Sequence, residues 1–252
     1  MINNKNNHEH CITVDNITKT FSNPDITENK KIYALKNISF TVKEGECLII
    51  GGANGSGKSL LMSIIAGLIK PTSGKIYTKE KVGLIFQEAE TQILGETAIE
   101  DVMVGISKKK FSKEQRKEKA LQVLQEVALF EKSLFPARTL SGGEKRKLAV
   151  ASILAMETST FIFDEPYANL DYKGIQQVNN LIKELKKKKC TIIILTHELE
   201  KCLALASRFI VLYKGEKVFD GLPSQGLNQD LEVWNIRNPI QSYTKIEDLL
   251  WD

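Results

Sequence analysis

Apolar residues in this chain recur as short unbroken runs set between polar breaks. Residues 47–50, 82–86, 161–163 and 190–195 are such runs, and their shortness predicts strands buried on both faces. Residues 12–21 and 38–42 read as two further strands, with a polar loop around residues 24–31 between them. Other segments carry the helical period instead. Leu61, Ile64, Ile65 and Leu68 form one stripe, Ile175, Val178, Ile182 and Leu185 a second, and Leu199, Cys202, Leu203 and Ala206 a third. Residues 88 to about 155 are mostly helical in character; Ser112 and Gln115 form a capping-box pair ahead of a helix carrying Leu121, Leu124 and Ala128. Glu44 and Gly45 make a turn, residues 71–74 (Pro-Thr-Ser-Gly) break the chain, and Lys214-Gly215 joins residues 209–213 to 217–219 as a hairpin. Strands alternating with helices predict an α/β fold, its mostly parallel sheet covered on both faces, with a helical insertion between two sheet segments.

The 252 residues are read as a disordered N-terminus over 1–10 and one domain over 11–252, with a helical subdomain at about 88–155 and a tail at about 223–252 that holds both tryptophans. Composition is that of a soluble globular protein, 42% hydrophobic and 26% charged. A net charge of +4 is too small to argue for nucleic acid, and none is expected as a partner. The lysine clusters at 108–110 and 186–189 read as solvated surface. Cys11, Cys47, Cys190 and Cys202 show no C-x-x-C spacing and read as reduced thiols, not a disulfide frame or zinc site. The polar first ten residues lack a signal-peptide pattern, and no run approaches the roughly 18 apolar residues of a membrane span. A membrane role would therefore act through a partner.

Three motifs carry the chemistry. Residues 52–59, GANGSGKS, fit Gly-x-x-x-x-Gly-Lys-Ser between a predicted strand and a predicted helix. Gly52, Gly55 and Gly57 free the backbone so that N–H groups, Asn54 and Ser56 among them, can face phosphates. Lys58 can reach the β- and γ-phosphates, Ser59 offers a hydroxyl to Mg²⁺, and the helix dipole adds positive potential. Leu140-Ser141-Gly142-Gly143-Glu144 places Ser141 at a helix start, where its hydroxyl and the Gly142 and Gly143 N–H groups suit an anion. Asp164 and Glu165 end the apolar run 161–163, at the strand edge where α/β sheets bind ligands. Asp164 suits Mg²⁺ and its water shell, and Glu165 suits a general base.

In that order along residues 11–222, these motifs resemble the ATP-binding-cassette (ABC) ATPases. The resemblance implies an ABC-type P-loop ATPase fold: a mixed sheet core, an N-terminal antiparallel β portion and a helical subdomain, with ATP and Mg²⁺ as cofactors. It implies that Gln87 contacts Mg²⁺ and the attacking water, that Asp171 lies in a loop crossing a dimer interface, and that His197 holds the γ-phosphate and Glu165. It places Leu60 at the end of the phosphate loop. Phe21 falls where the family sets an aromatic ring under adenine, with Tyr33 as the alternative. Ala53 stands where Pro is common and Leu60 where Thr is common; neither change removes a catalytic group.

Within the family, residues 82–94 (VGLIFQEAETQIL), Glu96-Thr97, Glu100-Asp101-Val102 and residues 140–147 (LSGGEKRK) are similar to the ATPase components of energy-coupling-factor importers of cobalt, nickel and vitamins. That likeness implies a second ABC ATPase subunit, self or related, as partner. It further implies a membrane scaffold that meets residues 88–96, a substrate-binding membrane subunit, and a place on the cytoplasmic face of the plasma membrane. Two subunits would close around two ATP, each phosphate loop facing the other subunit's Ser141 region, and hydrolysis would release the clamp. The alternatives are the ATPase of another ABC transporter class and a soluble ABC ATPase that remodels a macromolecule.

Overall fold

The computed structural model describes residues 10–22, 31–107 and 109–240. Its strands are β1 (His10–Ser22), β2 (Lys31–Lys43), β3 (Cys47–Gly51), β4 (Ser73–Thr78), β5 (Gly83–Ile85), β6 (Thr160–Asp164), β7 (Thr191–Thr196), β8 (Arg208–Tyr213) and β9 (Glu216–Gly221). The helices are α1 (Lys58–Ile65), α2 (Ala98–Gly105), α3 (Lys113–Glu126), α4 (Gly142–Ala155), α5 (Tyr172–Lys187) and α6 (Pro223–Leu227). A six-stranded sheet runs in the order β5-β6-β7-β3-β8-β9, and a three-stranded sheet in the order β2-β1-β4. The larger sheet is parallel from β5 to β8, and the β8–β9 hairpin adds an antiparallel edge. The smaller sheet is antiparallel throughout.

Alternation along the parallel strands builds two cores. Cys47 and Ile49 of β3, Phe161 and Phe163 of β6, and Ile192 and Ile194 of β7 face one side, with Val102, Leu124, Leu148 and Ile182 from the helices. Leu48, Ile50, Ile162, Ile193 and Leu195 face the other side, where they meet α1 and the β1–β2 ladder. Both faces of the central strands are thus buried, which is why their sequence is a continuous apolar run rather than an alternating one.

Several sequence expectations require correction. Leu68 does not extend the α1 stripe: Gly67 takes a left-handed φ of 74°, the helix ends at Ile65, and Leu68 is exposed. Ala128 likewise lies beyond α3, at φ 55° and exposed, because the chain closes in a Schellman turn. Leu129 N–H donates to Leu124 O at 2.8 Å and Ala128 N–H to Gln125 O at 3.0 Å. The stripe at 199–206 forms two 3₁₀ turns, Leu199–Lys201 and Leu203–Leu205, instead of an α-helix. Side chains of α5 take carbonyls there: Asn179 Nδ2 donates to Lys201 O and Lys186 Nζ to Leu205 O. The expected break at 71–74 runs directly into β4, whose largely exposed face shows no apolar period. His10 belongs to β1 and Lys31 to β2, not to polar segments; the remainder of the expected disordered N-terminus and of the 24–31 loop lies outside the described residues. In the tail, Trp234 packs against the larger core, whereas Trp251 lies outside the described residues.

Candidate functional site

Parallel register brings the motifs to one edge. Gly51 pairs with Thr196 and Asp164 with Leu195, so the loop after β3, the acids ending β6 and the residue after β7 emerge side by side. The phosphate loop is drawn tight around α1. Gly57 caps the helix at φ 103°, and a Cβ there would lie 2.7 Å from Leu35 Cδ2. No side chain caps α1, so its first N–H groups remain available to an anion. The tip of the β8–β9 hairpin supports the loop from behind, with Gly215 N–H donating to Ser56 O at 3.1 Å. Ser56 Oγ is buried and has no hydrogen-bond partner among the described residues.

Lys58 is buried, and its Nζ donates to Gly52 O at 2.7 Å and Ala53 O at 3.1 Å. The same Nζ lies 3.4 Å from Glu165 Oε1. His197 completes the group: its Nδ1 is 3.1 Å from Glu165 Oε1, and its backbone N–H donates to Glu165 Oε2 at 3.3 Å. Glu165 itself adopts φ 44°, a conformation that strains a side-chain-bearing residue, while its N–H donates to Leu195 O at 2.8 Å. Ser59 Oγ donates to Asp164 Oδ1 at 3.1 Å. Burial pushes the Asp164 carboxyl above its usual range, the nearby Glu165 charge adds to the rise, and the Ser59 bond and Lys58 oppose it.

One cleft of about 760 Å³ is lined by Asn54, Gly55, Gly57, Lys58, Ser59 and Leu60 together with Gln87, Glu165 and His197. Ile32, Tyr33, Ala34 and Lys36 of β2, and Lys214 and Gly215 of the hairpin, form its remaining wall. Tyr33 therefore lies on the cleft. Phe21 does not line it; it pairs with Ile32 across the β1–β2 ladder, half-exposed, with Lys19 Nζ 5.3 Å from its ring centroid.

Ser141, Gly142, Gly143 and Asp171 gather elsewhere, around a separate concavity with Asn169 and Leu170. Ser141 caps α4 in a full capping box, accepting from Glu144 N–H while Glu144 Oε2 accepts from Ser141 N–H at 3.0 Å. Asp171 caps α5 by accepting from Gly174 N–H at 2.8 Å. A single chain thus carries two groups of motif residues that do not share a cleft.

Sequence reasoning missed residues that hold these loops. Gln92 staples the segment after Gln87 to β5, donating to Leu84 O at 2.7 Å and accepting from Phe86 N–H at 2.8 Å. Buried Asp101 accepts from Leu94 and Gly95 N–H through Oδ1 and from Ser152 Oγ of α4 through Oδ2. Arg146 reaches three backbone carbonyls from inside the fold. None of these has a short-range sequence signature, since each partner is remote or is a backbone atom. Among the described residues no cluster of three or more His, Cys, Asp or Glu could hold a metal ion, and no helix is long and apolar enough to cross a membrane.

The parallel sheet with ligand-facing loops at one edge, the Lys-Ser phosphate loop and the buried acid pair define a P-loop nucleotide hydrolase. Residues 35–168 match the family model described as ABC transporter. The energy-coupling factor transporter ATP-binding protein EcfA1 of Fusobacterium nucleatum subsp. nucleatum is 39% identical over 233 residues, covering 87% of this chain and 85% of that protein. The solved structure of CbiO1 from Clostridium perfringens, described as part of the ABC transporter complex CbiONQ, superposes with a TM-score of 0.77 at 28% identity, covering 89% of this chain and 93% of that one. A dimeric ATP-binding cassette, MJ0796, in a post-hydrolysis state with ADP and Pi superposes with a TM-score of 0.73 at 30% identity, covering 84% and 98%. The chain belongs to the ABC transporter family, as one of its ATPase cassettes, and its fold class is the one the motifs predicted.

Proposed function

We propose that this chain is the ATP-hydrolysing subunit of a membrane importer of the energy-coupling-factor type. It would close with a second ABC ATPase, a copy of itself or a relative, around two ATP. The observation that carries the paired arrangement is the separation of the two motif groups on one chain. The cleft holding Lys58, Glu165 and His197 lacks Ser141, Gly142, Gly143 and Asp171, which surround a concavity of their own. ATP held between two chains arranged head to tail would use both groups at once, and its contacts with both would favour the closed dimer.

In the cleft, the phosphate-loop N–H groups and Lys58 would hold the phosphates. The hard oxygens of Ser59 and Asp164, already within a hydrogen bond of each other, suit Mg²⁺. Gln87 would contribute a third ligand, and bound Mg²⁺ would neutralise phosphate charge. Glu165 takes a proton from the attacking water as its oxygen bonds to the γ-phosphorus and the bond to ADP breaks. His197, on the same carboxylate, orients Glu165. The adenine would lie toward β2, where Tyr33 lines the cleft and Phe21 sits one ladder position away.

The relatives' names support the energy-coupling-factor transporter class, and the segment 88–96, with Leu94 exposed, would be the surface offered to a membrane scaffold. Such a complex would place the chain at the cytoplasmic face of the membrane, with substrate choice left to a separate membrane subunit. The test is to tag the Glu165→Gln form, extract membranes gently with ATP, and identify what co-purifies by mass spectrometry. A small scaffold protein with a substrate-binding membrane subunit is the expected result. Recovery of another type of membrane protein would move the transporter class, and recovery of ribosomes or soluble proteins alone would remove the transport role.

A further inference from the structure

Arg146 lies on α4, one turn after Gly142, and is 4% exposed. Its Nη2 donates to Gln87 O at 3.1 Å and to Ala168 O at 3.0 Å, and its Nη1 to Gly142 O at 3.4 Å. Each carbonyl belongs to a segment carrying an expected ATP-site residue. Gln87 is itself one. Ala168 closes the turn that starts at Glu165, its N–H donating to Glu165 O at 3.2 Å, and it precedes Asn169 at φ 58°. Gly142 follows Ser141 at the head of α4.

Among the described residues this guanidinium has no carboxylate within ion-pair distance, and its Nε has no hydrogen-bond partner. A buried charge without a counterion is an expensive way to fill space, and an apolar side chain of similar length would serve packing better. What a planar fork supplies is fixed spacing between its acceptors. Here Nη2 serves both Gln87 O and Ala168 O while Nη1 of the same plane serves Gly142 O, so none of the three carbonyls can shift alone without breaking a charge-assisted bond.

We propose that Arg146 is a positioning residue for hydrolysis, which joins Gln87, the 165–169 turn and the head of α4 into one unit and so sets Gln87 against Glu165. Movement of the segment after Gln87, the surface assigned above to the scaffold, then carries directly to the turn that holds the base. This extends the ATPase reading and rests on it; the unmutated chain assayed alongside shows hydrolysis itself, so loss of that reading would appear there and not as a difference between variants.

The experiment is a double-mutant cycle on the full chain with Arg146→Lys and Gln87→Ala, measuring kcat and KM for ATP and the thermal midpoint. Arg146→Lys keeps the charge but loses the fork. It is expected to lower kcat about ten-fold with KM for ATP within about two-fold of wild type. In the Gln87→Ala background the same change is expected to cost less than about two-fold, because the side chain that the unit sets against Glu165 is gone. An equal loss in both backgrounds, or wild-type kcat in Arg146→Lys, overturns the proposal. So does a kcat that falls only in proportion to the unfolded fraction, with Arg146→Lys melting as low as Arg146→Met, since that marks a purely structural residue.

Discussion

Lys58 and Glu165 stand 3.4 Å apart, Nζ to Oε1, with side chains only 5% and 8% exposed. The lysine expected to hold phosphates and the acid expected to activate water are thus a buried pair. Nucleotide binding must draw Lys58 toward the phosphates, which leaves Glu165 freer to meet water. Replacing Lys58 with Ala removes both the phosphate contact and the counterion. Nucleotide affinity is expected to fall at least about ten-fold, and the nucleotide-free protein to lose about 1–3 kcal/mol from the uncompensated carboxylate. Titration calorimetry and urea unfolding measure the two effects; unchanged affinity would count against the phosphate-loop assignment.

Glu165→Gln preserves shape and removes the base. Turnover is expected to fall by about 10²–10⁴, the range for loss of a general base, while ATP binding persists and the ATP-bound dimer accumulates on gel filtration. Near-wild-type turnover would take Glu165 out of the reaction.

Ser141→Arg places a bulky cation where an anion is expected and removes the α4 cap, which costs about 1 kcal/mol of stability. Because Ser141 does not line the Lys58 cleft, ATP binding to the monomer is expected to stay intact while hydrolysis stops. Normal hydrolysis in this variant would rule out the head-to-tail arrangement.

All four cysteines are buried and free, and burial pushes every thiol up, Cys47 to about 11. Iodoacetamide at pH 8 is expected to label none of them in the folded protein and all four in denaturant, read by intact mass. The linkage has a definite sign. These thiols are neutral in both states below about pH 9, where their contribution is complete; above it the unfolded chain ionises first. Stability is therefore expected to fall as pH rises from about 9 toward the folded values, by up to roughly 1.4 kcal/mol per pH unit for each thiol. A flat profile across that range would contradict the burial of these side chains.

Ala128 occupies, at φ 55° and exposed, the position after α3 that glycine fills without strain. Ala128→Gly is expected to raise stability by about 0.5–1 kcal/mol, seen as a higher urea midpoint at constant m-value. A lowered midpoint would mean that the extra freedom of glycine in the unfolded chain outweighs the relieved strain.

The parallel strands were legible because burial on both faces forces an unbroken apolar run, as in residues 47–50 and 161–163. The phosphate loop was legible because its glycines and Lys58 lie within eight consecutive positions of the chain. The family and fold inferred from those motifs agree with the comparisons. Periodicity misled where capping or side-chain contacts overrode it, at Leu68, Ala128 and the turns of 199–206. β4 was missed because an exposed strand at the small sheet's edge carries no apolar signature.

The sequence by itself determined the fold class, the order of the motifs and the residue types available for ATP chemistry, because these depend on local spacing and on burial patterns written along the chain. Only the tertiary structure decided that Lys58 and His197 meet on the Glu165 carboxylate, that Ser141 and Asp171 lie apart from them, that Tyr33 lines the cleft while Phe21 does not, and that Arg146 ties three segments together. The reason is physical: these relations join residues far apart in sequence, often through backbone carbonyls that every residue carries, so no side-chain pattern could announce them.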